Sequence, residues 1–368
     1  MAISLRTYQS EALAAARADW SSGAERIIVS MPTGSGKTIL FLFLIHGAHE
    51  NGHRCIVLVN SDVLVHQTVQ KLGRVGIAAG VIKAKYNEWS RPVVVASVQT
   101  LSRKERLQYV PPGRFGLCIV DECHYANSAS YQRTLRHLRA KYVLGVTATA
   151  FRGDNQSLAD AGWERVSYAY SLEDAVRDGY LVSPNIRRVD TGIALIKSAK
   201  STSYGERDFS SKSLSKCVNT DERNEQIVGA YRDQIPGSKC IAFCVDVEHA
   251  WALANAFRKR GVKAQMIYGM TPKPQRRELL EAHQQGAFDV LTNCNVLTHG
   301  YDDPSLQGII MARPTLSKVL YMQSVGRGLR PHEGKECCEL LDVVDVSRTH
   351  EIAVNAEIMG LQREMGQT

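Results

Sequence analysis

No apolar run in this sequence is long enough to cross a bilayer, which takes about 20 residues as a helix. The first ten residues, MAISLRTYQS, lack the layout of a secretory leader. The nine cysteines are odd in number and include no C-x-x-C pair. Most sit in apolar runs, where a thiol behaves as a small hydrophobe. These absences argue against a membrane protein, a disulfide framework and a zinc site. They predict a soluble, cytoplasmic protein, or one of the host cytoplasm if the source is a phage. Low-complexity segments and short repeats are missing too. What remains is ordinary globular material: 368 residues, 44% apolar and 22% charged, enough for about two domains. Basic residues outnumber acidic ones by 45 to 37, which suits a polyanionic partner as well as a merely basic protein.

The most informative stretch is Met31-Pro-Thr-Gly-Ser-Gly-Lys-Thr38. It lies between two apolar runs, Arg26–Ser30 and Ile39–Ile45, and so reads as strand, glycine loop and helix. Such a loop turns backbone N–H groups and the positive helix end toward an anion. Gly34 and Gly36 let the backbone curl around phosphate, with Pro32, Thr33 and Ser35 completing the loop. Lys37 suits the β- and γ-phosphates, and the Thr38 hydroxyl suits Mg²⁺. The strict pattern fails at its first position, which is Met31. A glycine turn with an incidental lysine is the plainer alternative.

Further along, short apolar strands alternate with helical segments, which predicts parallel sheets with helices on both faces. Residues 5–20 have helical spacing and carry Gln9, an amide able to read an adenine edge or simply to face solvent. Cys55–Val59, Val93–Ala96, Leu117–Val120 and Val143–Val146 read as strands, with a helix begun by Ser61-Asp62 between the first two. Leu117–Val120 delivers Asp121-Glu122-Cys-His124, and Val143–Val146 delivers Thr147-Ala-Thr149. Ligands of such sheets bind at the C-terminal strand ends, and each polar cluster falls at one. Residues 151–182 read as a connection, Val182-Ser-Pro184 as a break, and 197–216 as an exposed, positively charged loop. Strands and helices then resume from Asp221 to Val344, without a second phosphate loop. The expected domains are 1–182 and 183–368, with a polar helix over 346–368.

Asp121-Glu122 at a strand end, about eighty residues after a glycine loop, is the second half of a phosphate-hydrolysing site. The aspartate suits Mg²⁺ and the glutamate suits the attacking water. Gln323-Ser-Val-Gly-Arg327-Gly-Leu-Arg330 can present two guanidinium groups to a transferring phosphoryl group or to backbone phosphate.

Together these stretches resemble superfamily 2 helicases and translocases of the DEAD/DEAH-box type. In family order, Leu5–Gln9 resembles the Q-type motif, Met31–Thr38 motif I, Val57–Gln67 motif Ia and Ser97–Leu101 motif Ic. Asp121–His124 resembles motif II as DECH, Thr147–Thr149 motif III and Phe243–Asp246 motif IV. Thr292–Pro304 resembles motif V, and Gln323–Arg330 motif VI. The phrases SVQTL, VDECH, TATAFR, NVLTHGYDDPSL and QSVGRGLR resemble the RadD and XPB-like branch of DNA repair helicases, in a short form without the cysteine-rich region of RadD.

The resemblance implies two tandem RecA-like domains with ATP between them. Arg6 and Gln9 would read adenine, and Thr38 and Asp121 would hold Mg²⁺. Glu122 would be the general base, with Lys37, Gln323, Arg327 and Arg330 acting at the phosphates. Gly300 and Asp302 would help hold the nucleotide. His124, Thr147 and Thr149 would couple hydrolysis to movement. Ser97, Gln99, Thr100, Thr292 and Thr298 would meet nucleic-acid phosphates. The implied activity is an ATP-driven helicase or translocase, acting as a monomer on DNA in preference to RNA and on no membrane. A DNA-stimulated ATPase without unwinding and an RNA helicase are the alternatives. A binding protein with a dead site is opposed by the intact Lys37, Asp121, Glu122, Arg327 and Arg330.

Overall fold

The computed structural model describes residues 4–148, 161–192, 199–201, 207–297 and 301–344. The chain divides into two compact units, and the break falls between Ser171 and Leu172, not after Val182. The reason is local. Leu172 and Ala175 are buried, and the Val182 N–H donates to the Leu329 carbonyl at 2.8 Å, so residues 172–182 fold with the second unit.

The first unit runs α1 (Thr7–Ser21), β1 (Arg26–Ser30), α2 (Lys37–Glu50), β2 (Cys55–Val59), α3 (Asp62–Arg74), β3 (Gly80–Lys83) and β4 (Tyr86–Asn87). It continues through β5 (Val93–Ser97), α4 (Val98–Leu101), α5 (Lys104–Leu107), β6 (Leu117–Asp121), α6 (Ala129–Leu138), β7 (Tyr142–Thr147) and β8 (Arg165–Ala169). One sheet results, in the order β4-β3-β5-β2-β6-β7-β1-β8. Every pair is parallel except β3 with β4. The strands CIVLV and VVVAS are buried at every position, as expected where helices cover both faces. Helix α2 buries Leu40, Phe41, Leu42, Leu44 and Ile45, almost its whole circumference, and so fixes the loop before it against the core.

The second unit runs α7 (Leu172–Arg177), β9 (Ser183–Asp190), β10 (Ala199–Ser201), β11 (Arg207–Phe209), α8 (Ser211–Val218), α9 (Asp221–Gln234), β12 (Cys240–Phe243) and α10 (Val247–Lys259). It ends with β13 (Ala264–Ile267), α11 (Lys273–Gln284), β14 (Val290–Asn293), β15 (Gly308–Met311), α12 (Lys318–Val325) and β16 (Cys337–Val344). Its main sheet is wholly parallel, in the order β13-β14-β12-β15-β16-β9. Val189, Ile227, Tyr231, Phe257, Val290 and Leu341 share its core.

Two expectations are corrected here. Pro184 does not break the chain; it lies in β9, which is an edge strand, where a missing N–H costs no ladder bond. Within 197–216, residues 199–201 and 207–209 form an antiparallel pair, and 211–218 form a helix. Phe209, Leu214 and Val218 pack with Val245, and the buried Asp208 carboxylate pairs with Arg313 at 2.9 Å and accepts from Thr315 and the Leu316 N–H. A few apolar residues in a Ser/Lys-rich stretch therefore suffice to dock it. The expected tail helix, 346–368, lies outside the described residues.

Candidate functional site

In the first unit β1, β6 and β7 are parallel neighbours or next-neighbours, so their C-terminal ends lie along one edge. Register pairs Ser30 with Thr147 and Asp121 with Val146. The loop after β1, the Asp121-Glu122 pair after β6 and Thr147 at the end of β7 are thus brought together by topology. The Met31 N–H donates to the Thr147 carbonyl at 2.9 Å, and the Met31 side chain is fully buried. The first position of the loop is therefore a core anchor.

Gly36 caps α2 with φ +88°, in the left-handed region, and an added Cβ would meet Gln9 Nε2 at 2.6 Å. Gly34 is left-handed as well, with φ +92°. Both are places for glycine. Lys37 opens α2 and donates to the Met31 carbonyl at 3.2 Å.

Arg6 and Gln9 occupy the start of α1, with their roles tied to the loop. Gln9 is buried; its Nε2 donates to the carbonyls of Ser35 (3.2 Å) and Gly36 (3.3 Å), while its Oε1 accepts from the Arg6 N–H (3.0 Å). Its amide braces the phosphate loop, where sequence reasoning had it facing a base. Tyr8, which sequence reasoning passed over, does the same: its hydroxyl donates to the Ser35 carbonyl, and its ring stacks on Tyr170 at 4.2 Å.

Glu122 sits at φ +51°, ψ +54°, a conformation that costs a non-glycine residue roughly 1–3 kcal/mol. The following 3₁₀ turn, Cys123–Tyr125, places the His124 ring between two polar groups. Its Nδ1 lies 3.1 Å from Thr147 Oγ1 and 3.4 Å from Glu122 Oε2. Burial raises the Asp121 carboxyl to about 7, the Glu122 charge adds to the rise, and Lys37 opposes both. Two adjacent carboxylates, opposed by Lys37 and more weakly by Lys71, form a site short of positive charge. Thr33 Oγ1 is buried there without a partner.

These features fit a magnesium nucleotide. The loop amides, the α2 N-terminus and Lys37 would hold phosphates, and Asp121 with Thr38 would serve a metal that takes most of its ligands from water and phosphate. Among the described residues no cluster of three or more His, Cys, Asp or Glu could hold a metal on its own.

In the second unit, Arg327 is buried and its Nη1 donates to the Tyr301 carbonyl at 2.9 Å. Arg330 forms an ion pair with Asp302. The segment 301–303 is itself held: the Tyr301 hydroxyl donates to Asp303 at 3.1 Å, and Lys239 pairs with Asp303 at 3.1 Å. Gln323 is buried and its Nε2 has no partner.

Two nucleic-acid expectations are corrected by burial. Thr292 is fully enclosed, and its hydroxyl donates to the Ala250 carbonyl at 2.8 Å, tying β14 to α10. Ser97 is 1% exposed, and its hydroxyl donates to Gln99. Neither side chain reaches solvent. Gln99 is exposed, with Nε2 donating to the Asn60 carbonyl, and Thr100 is half-buried, accepting from the Ala84 N–H. Thr149, Thr298 and Gly300 lie outside the described residues.

Two family models match the chain. One, described as the res subunit of type III restriction enzymes, covers residues 2–152; the other, described as the helicase conserved C-terminal domain, covers 221–332. A Schizosaccharomyces pombe protein named as the mitochondrial ATP-dependent helicase irc3 is 35% identical over 98% of this chain and 60% of its own length. Saccharomyces cerevisiae IRC3, named as an ATP-dependent helicase, is 30% identical over 93% of this chain and 52% of its own length. The chain thus spans between half and two thirds of each. A solved fragment of an HsdR subunit of a type I restriction enzyme from Vibrio vulnificus YJ016 shares the fold, with a TM-score of 0.72 at 24% identity over 96% of this chain and 66% of that one. No helix among the described residues is long and apolar enough to cross a membrane. With both family models in order along the chain, one in each parallel-sheet unit, the chain is similar to the helicases of superfamily 2.

Proposed function

We propose that this chain hydrolyses ATP with Mg²⁺ and uses the cycle to move along nucleic acid, with DNA as the favoured track. The observation that carries this reading is the convergence, at one sheet edge, of a left-handed glycine loop, Lys37 and the paired carboxylates of Asp121 and Glu122. The divalent metal that accompanies a nucleotide would supply the positive charge that this edge lacks, and Lys37 with the loop amides would meet the phosphates.

In this reading, the chain's own groups divide the work. Loop amides and Lys37 orient the phosphates. Glu122, held in a strained turn, takes the proton of the attacking water. His124 links that carboxylate to Thr147, so a change at the phosphate is felt on the neighbouring strand. Arg327, Arg330 and Gln323 are the second unit's candidates for stabilising the charge that develops on a transferring phosphoryl group. Gln99 and Thr100 remain candidates for backbone phosphate contact. The phrases shared with RadD and XPB-like proteins favour a role in DNA repair, and the chain acts as a monomer. Nine unpaired thiols suit a reducing compartment such as the cytoplasm.

The test is steady-state ATPase with single-stranded, duplex and forked DNA and with RNA, beside unwinding of a labelled fork. Stimulation by DNA with unwinding supports a helicase. Stimulation by DNA without unwinding supports a translocase or remodelling ATPase, and stimulation by RNA alone rejects the DNA reading.

A further inference from the structure

Helix α12 ends just before the two arginines. Its last N–H bonds run from Gly326, Arg327 and Gly328 back to Met322, Ser324 and Val325. Carbonyls beyond that point have no helical partner. Three of them are nevertheless taken. The Leu329 carbonyl accepts from Val182, and those of Gly328 and Arg330 accept from the ammonium of Lys335, at 2.6 and 2.9 Å.

The third proton of Lys335 goes to the Pro304 carbonyl at 3.2 Å, in the segment after Asp302. An ammonium has three donors and no more, and each meets a backbone carbonyl. The turn that delivers it is specific. Lys335 N–H donates to His332 O at 3.0 Å, and Gly334 sits at φ +73°. Gly328 lies flat on the sheet, where a Cβ would strike Cys338 Sγ and reach Ile309 Cγ1 at 3.0 Å.

Two segments are therefore joined at three successive points. Tyr301 O takes Arg327, Asp302 takes Arg330, and Pro304 O takes Lys335. The first two joints hold the arginine heads. The third holds the backbone from which they project.

We propose that Lys335 is a positioning residue for Arg327 and Arg330: its ammonium fixes the arginine-bearing turn that follows α12 to the 301–304 segment. The role rests on the ATPase reading above for its effect on rate, but the clasp itself does not. Lysine suits the task because three converging carbonyls ask for a compact, tetrahedral donor. A planar guanidinium cannot meet all three.

The experiment is a double-mutant cycle with a second, activity-free readout. Lys335→Met lowers kcat about tenfold and leaves the KM for ATP within about twofold, because the nucleotide is held by the first unit. In the Arg330→Ala background, Lys335→Met lowers kcat by only about threefold more, since Arg327 alone is left for it to position. Wild-type kcat in the single variant overturns the proposal, and so does a full further tenfold loss in the double variant. Should Lys335→Met melt far below wild type, Lys335→Arg keeps the charge and is expected to lose about three- to fivefold in kcat with the same non-additivity. Hydrogen exchange without nucleotide separates the two levels. Amides of 326–330 exchange about tenfold faster in Lys335→Met if the clasp exists. Unchanged exchange removes the clasp whatever the rates. A wild-type protein with no ATPase, but with the exchange difference, removes the functional reading and keeps the clasp.

Discussion

The two units carry the same kind of parallel sheet and put polar residues at the same ends of their strands, yet they treat charge in opposite ways. In the first unit, Asp121 is pushed up to about 7 by burial and by its neighbour Glu122. In the second, burial also acts on Asp303, but hydrogen bonds from Ser305 and Lys239 and the Lys239 charge outweigh it, and its carboxyl falls below the usual range. Lys335 meets three carbonyls, and Arg330 meets Asp302. The first unit leaves charge and a buried hydroxyl unsatisfied, as a site that waits for a ligand does. In the second unit the segments 301–304 and 328–335 satisfy their charges from one another, as a scaffold that presents preset groups must, while the buried Gln323 amide nitrogen stays without a partner. Binding is thus built into one unit and positioning into the other.

That contrast can be broken by mutation. The largest effect belongs to the first unit's machinery: Lys37→Ala or Glu122→Gln lowers ATP turnover by about 10²–10³-fold, because each removes a group that acts at the transition state. Turnover assays on purified variants decide it, and near-normal rates in either would reassign the site. Next comes a stability effect confined to the second unit. Asp208→Ala strips the carboxylate partner from the largely buried Arg313 guanidinium, which keeps only its bond to Asn295, and costs roughly 3 kcal/mol in denaturant unfolding. A change below about 1 kcal/mol would mean that the strand pair 199–209 is not docked as described. Arg330→Ala and Asp302→Ala are expected to slow turnover by about tenfold, the second less than the first, with KM for ATP little changed.

The smallest effect is one of pH. A carboxyl whose folded pKa lies above its unfolded value binds more protons when folded, so stability falls as pH rises between the two values. For Asp121 that window runs from its ordinary 3.8 to about 7. Without nucleotide, the melting temperature of the wild-type protein therefore declines across it. Asp121→Asn flattens that decline and raises the melting temperature at pH 8 by about 2–4 °C. A parallel pH profile in the variant would show that Asp121 is not the strained group.

Much of this fold is readable in the sequence, for physical reasons. Strands covered on both faces must be continuous apolar runs, so Cys55–Val59, Val93–Ser97 and Leu117–Asp121 stand out. The phosphate loop stands out because left-handed backbone needs glycine at set positions. Edge elements are harder: β9 contains a proline, and β8 has no fully buried residue. Which way a hydroxyl at a strand end points depends on register, which the sequence does not print. Thr292 and Ser97 turned inward for that reason. Tyr8 and Lys335 were missed because their partners are backbone carbonyls, and a carbonyl leaves no signature in the sequence.

The central claim is that the first unit's edge binds and hydrolyses ATP in the service of movement on nucleic acid. The most direct measurement is ATP turnover by the wild-type chain and by Lys37→Ala, each with and without saturating single-stranded DNA. The expected result is turnover that rises about tenfold or more with DNA and is about 10²–10³-fold lower in the variant under both conditions. Turnover indifferent to nucleic acid, or surviving the loss of Lys37, would contradict it.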